Sequence, residues 1–124
     1  KSGSMMKLWD HDADSNTAMI RRWTSLYSAV EFMLDTWAGD LEFGALLFPF
    51  VGSGDMDPET SCIVNATPEV SVAPDNAAAI LAGIPEPSAI FYGGTPAGEA
   101  IEVASTHLMS FDRQSPKAIV LVTD

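Results

Sequence analysis

The seven residues AIVLVTD at 118–124 decide how this chain of 124 residues is read. Five consecutive apolar residues followed by Thr123 and Asp124 have the profile of a strand buried on both faces, as in a parallel sheet, with a polar tip where the strand emerges. Such a strand needs helices to cover it, and the sequence just before it supplies one. In YGGTPAGEAI (92–101) Thr95 is placed as an N-cap and Pro96 at the first helical position, and Ala97, Ile101, Ala104 and Leu108 then fall on one face. Further back, LEFGALLFPF (41–50) is a second nearly continuous apolar run of strand length, with Pro49 at its exit because proline cannot donate to a ladder. The helix before it spans about 17–38, from the stripe Ile20, Trp23, Tyr27, Val30, Leu34 and Trp37. Gly39 stops that helix. Between the two apolar runs, EVSVAP (69–74) alternates as an edge strand would, and a short helix runs from a cap at Asp75 or Asn76 to Gly83. Strand, helix and strand in alternation predict an α/β layered sheet in a single domain, 1–124.

Composition narrows the function classes. Seventeen acidic against six basic residues give a formal charge of -11, which repels nucleic acid and anionic membrane and favours cations or basic partners. No apolar run approaches the ~18 residues of a membrane span, so no insertion is expected. Cys62 is the one cysteine; it reads as a buried or half-buried thiol, or as half of a disulfide whose partner lies outside these residues. His107 reads as a surface or boundary residue. No serine or cysteine stands with a histidine in a catalytic pattern, and YGG lacks the lysine and spacing of a phosphate loop, so it reads as backbone freedom. The chain is therefore expected to be non-enzymatic.

In open α/β sheets, ligands gather outside the carboxyl ends of the strands. Three polar groups are expected there: Ser2 and Ser4 in KSGSM (1–5), Thr95, and Asp124. SGSM, then an amphipathic helix, then GGTPAGEAI, then IVLVTD, in that order, resembles the von Willebrand factor type A domain of bacterial type. That family carries a metal-ion-dependent adhesion site read as Asp-x-Ser-x-Ser, a distant Thr, and an Asp after a buried strand. The resemblance implies a Rossmann-like open, mostly parallel sheet flanked by helices, with the first strand missing from this chain. It implies Ser2, Ser4, Thr95 and Asp124 as ligands of Mg²⁺, or of Mn²⁺ or Ca²⁺, in a protein-binding module whose partner supplies an acidic residue. Hard oxygen donors of low charge suit such ions on chemical grounds as well. The family's first aspartate would precede Ser2 by two residues, whereas the chain begins at Lys1. The resemblance thus implies a motif cut short, a metal bound weakly or not at all by the chain as it stands, and strand edges through which two copies would dimerise. It implies an extracellular or cell-envelope setting, with a cytoplasmic one still open. The alternative is a structural or assembly module of a larger secreted protein whose metal site is vestigial.

WDHDADSN (9–16) places Asp10, Asp12, Asp14 and Asn16 at alternate positions, like the start of a calcium loop. The pattern then fails, with Ser15 where glycine is wanted and Arg21 where a glutamate should close the shell. A solvated acidic loop that caps the following helix is the expectation.

Overall fold

The computed structural model describes residues 2–50, 60–111 and 114–123. The chain opens with a short 3-10 helix, Gly3–Met6, which buries Met5. Strand β1 (Leu8–Trp9) pairs antiparallel with β2 (Ile20–Arg21), and helix α1 (Arg22–Trp37) follows without a break. Strands β3 (Phe43–Ala45) and β4 (Val70–Ala73) form a second antiparallel pair, with a register irregularity between Phe43 and Ala45. Helix α2 is Ala77–Gly83 and helix α3 is Ala97–Met109.

This corrects the expected fold. The described residues hold two separate two-stranded antiparallel sheets and three α-helices, in place of a Rossmann-like open, mostly parallel sheet of the von Willebrand A type. AIVLVTD is the main reason. Residues 118–123 join no strand, and Val120 is 76% exposed, so the profile of a buried strand finds neither a ladder nor a cover. The other apolar run yields only the three residues of β3. Its remainder serves the core as irregular chain: Leu47 and Pro49 are buried, and the Leu47 N–H donates to Glu69 Oε2 at 2.7 Å. A continuous apolar run specifies burial without specifying a period, and here burial is met mostly outside a strand. The reading of EVSVAP as a strand agrees with β4.

The stripe on α1 packs the core. Trp23 and Leu34 are buried, and Leu26, Tyr27 and Val30 lie against a cluster that includes Leu47, Ile80, Ile84 and Phe91. Ile20 instead belongs to β2, which is why α1 begins at Arg22 and not near Thr17, and Trp37 is exposed. Trp23 meets Phe91 edge to face with ring centroids 5.0 Å apart, and its Nε1–H reaches the carbonyls of Pro85 and Glu86 at 3.2 Å. Residues 85–91 are thereby fastened to α1, with Thr24 Oγ1 and Arg21 Nη1 donating to the carbonyls of Pro87 and Ser88. Asn76 Nδ2 donates to the carbonyls of Phe43 and Ser71, tying the start of α2 to the second sheet. These tethers fix residues 85–91, and the chain leaves them directly into Tyr92–Thr95.

Candidate functional site

The sequence-predicted site residues Ser2, Ser4 and Thr95 meet in space, although the fold that suggested them does not form. Ser2 Oγ lies 2.7 Å from Ser4 Oγ, and Thr95 Oγ1 lies 3.1 Å from Ser2 Oγ across 93 positions of sequence. Asp124, the fourth predicted ligand, lies outside the described residues. Ser2 and Ser4 are half-buried and Thr95 is exposed, so the cluster opens to solvent on the threonine side.

The backbone builds this convergence. In the 3-10 helix the Met5 N–H donates to the Ser2 carbonyl at 2.9 Å, and that tight turn brings the two serine hydroxyls together. The Gly3 N–H then donates to the Gly93 carbonyl at 3.2 Å, laying the turn against residues 92–95. On its other side this segment is held by the Gly94 N–H, which donates to the Ser61 carbonyl at 2.8 Å. Gly93 has φ of +147°, outside the range of ordinary L-residues, and a Cβ there would come within 2.5 Å of the Pro49 ring. The YGG segment thus supplies the backbone freedom read from the sequence. The Ser61 brace went unread, because nothing local in TSCIV signals a contact with residue 94.

Thr95 does not act as the expected helix cap. The residue preceding α3 is Pro96, no side chain caps this helix, and the Thr95 hydroxyl is turned to Ser2. The positive end of the α3 dipole therefore lies beside the cluster, offset by Glu99 in the first turn.

The acidic loop joins β1 to β2 and caps no helix, which corrects the expectation of a capping role. Asp10, Asp12 and Asp14 are exposed, as expected. Their oxygens are turned inward: Thr17 Oγ1 lies 2.8 and 2.9 Å from the two carboxylate oxygens of Asp12, and Asp14 Oδ1 accepts from the Asn16 N–H and Nδ2. These hydrogen bonds, first those from Thr17 to Asp12 and from the Asn16 backbone to Asp14, hold both carboxyls below the usual carboxylate range. Among the described residues, no group of three or more His, Cys, Asp or Glu is arranged to hold a metal. Cys62 is exposed and unbridged among the described residues, which corrects the buried-thiol reading. Among the described helices none is long and apolar enough to cross a membrane.

No family model, no curated protein and no solved structure matches this chain.

Proposed function

We propose that Ser2, Ser4 and Thr95 form a divalent-cation site of the adhesion type, and that the chain is a non-enzymatic module that binds a protein partner through that cation. One observation carries the reading: the three hydroxyls converge with the spacing of metal ligands. Adjacent ligands around an octahedral ion at 2.0–2.1 Å are separated by √2 times that distance, about 2.9 Å. The observed separations of 2.7 and 3.1 Å bracket this value. Without a cation, the same hydroxyls satisfy one another by hydrogen bonding.

Charge sets the limits of the site. Three neutral hydroxyls beside a helix N-terminus hold a dication poorly, so affinity depends on carboxylates: an aspartate ahead of the first serine, Asp124, and an acidic side chain from the partner. A formal charge of -11 raises the local concentration of cations around the whole chain, but does not localise one. Mg²⁺, or Mn²⁺ in its place, suits this donor set, and the coordination positions left open by the protein are taken by water or by the partner's carboxylate. An adhesion role of this kind fits an extracellular or cell-envelope setting.

The test is calorimetric. One aspartate placed ahead of Lys1 makes the opening read Asp-x-Ser-x-Ser, and Mg²⁺ is titrated into this extended chain and into its Thr95→Ala variant. Binding by the first and a loss of affinity of tenfold or more in the second are expected. Equal affinity in the two removes Thr95 from the site and the reading with it.

A further inference from the structure

Residues 118–122 are the least accommodated part of the molecule. Ile119, Val120, Leu121 and Val122 are 42, 76, 41 and 45% exposed, and no backbone hydrogen bond joins them to another described residue. The segment starts beside the end of α3, where Ser105, Leu108, Met109, Lys117, Ala118 and Ile119 line a crevice of about 280 Å³. Four β-branched or aliphatic residues in a row, with their N–H and C=O groups unpaired, form a strand lacking its neighbour.

We propose that this segment pairs antiparallel with the same segment of a second copy, making a two-fold symmetric dimer. The flanking charges select both the occupant and the register. Lys117 precedes the apolar run and Asp124 follows it. In the antiparallel register centred between Val120 and Leu121, Ile119 stands opposite Val122 of the second copy, Val120 opposite its Leu121, and Lys117 opposite its Asp124, twice over by symmetry. A shift of two residues either way sets a charge against an apolar side chain and loses both ion pairs. The stretch 51–59, VGSGDMDPE, is a poor rival from the same chain, since it carries three acidic residues and Gly, Pro and Asp, which strands disfavour. Repulsion between two chains of charge -11 is screened beyond about 8 Å at physiological salt. The pairing is short, so the dimer is weak and concentration-dependent.

Sedimentation velocity of the full chain, from micromolar to near-millimolar concentration, tests this. The expected result is a monomer–dimer equilibrium, with the amides of 119–122 gaining hydrogen-exchange protection as the dimer fills. Val120→Lys, at an exposed position, should leave thermal melting unchanged and raise the dissociation constant about tenfold or more. Lys117→Asp and Asp124→Lys should each weaken the dimer, and the double exchange should restore it. A monomer at every concentration, a dimer indifferent to Val120→Lys, or a double exchange no better than either single one overturns the proposal.

Discussion

Replacing Gly93 by alanine perturbs the point on which the hydroxyl cluster is hung. At φ of +147° an alanine is strained, and its Cβ would stand 2.5 Å from Pro49 Cγ and 3.3 Å from both Pro49 Cδ and the Ser61 carbonyl. Pro49 is one of the most deeply buried side chains and its ring cannot swing aside. Backbone strain of about 1–3 kcal/mol and overpacking of about 1–3 kcal/mol together give about 2–6 kcal/mol of destabilisation. For a domain of this size 1 kcal/mol moves the melting temperature by about 4 °C, so a fall of about 8–24 °C is expected. Gly98→Ala is the control: nothing lies within 4 Å of its Cβ position and it sits in α3, so a gain of about 0.5 kcal/mol is expected. Circular-dichroism melts of the two variants beside the parent chain make the comparison. A Gly93→Ala chain that melts within 2 °C of the parent would refute the close approach of residues 93 and 49, and with it the account of how Thr95 is placed.

Thr95→Ala should cost less than about 0.5 kcal/mol in a thermal or urea melt, because the hydroxyl is exposed and caps nothing; a loss of 1 kcal/mol or more would restore the capping role. Thr17→Ala should raise the Asp12 pKa toward 3.8, followed by NMR titration of its carboxylate, because the Thr17 hydroxyl is the largest cause of its depression; an unmoved titration contradicts that geometry. Since Asp12 and Asp14 titrate lower in the folded chain than their ordinary 3.8, the stability they contribute is present above that pH and is lost as pH falls through the depressed values. Thr17→Ala should flatten this acid limb of a stability–pH curve, and an unchanged slope would show that the Asp12 bonds do not persist in solution.

Three helices could be read from the sequence because each carries its own signal over a few turns: the Trp23–Leu34 stripe, the stretch from Asn76 to Gly83, and the Ala97–Leu108 face after Thr-Pro. What failed was pairing. Whether AIVLV becomes a strand depends on a neighbour that no local pattern encodes, and two residues of β2 overrode a helical stripe because Leu8 and Trp9 lie opposite them. The site was more legible than the fold. Ser2, Ser4 and Thr95 are polar residues beside glycines, and the Gly3–Gly93 hydrogen bond that joins them needs a close approach of two loops without any large sheet between them. The Ser61 brace and the bonds that turn the loop aspartates inward depend on residues apart in sequence or on side-chain direction, and neither leaves a compositional trace.

The central claim is that the three hydroxyls hold a divalent cation, and Mn²⁺ locates its own binding site by broadening the resonances nearest to it. In a ¹⁵N-resolved spectrum of the chain extended by one aspartate ahead of Lys1, substoichiometric Mn²⁺ should broaden the amides of Ser2–Ser4 and Gly94–Thr95 first, and excess Mg²⁺ should reverse it. Broadening centred on Asp10–Asp14 with residues 2–4 and 94–95 left sharp would contradict the account.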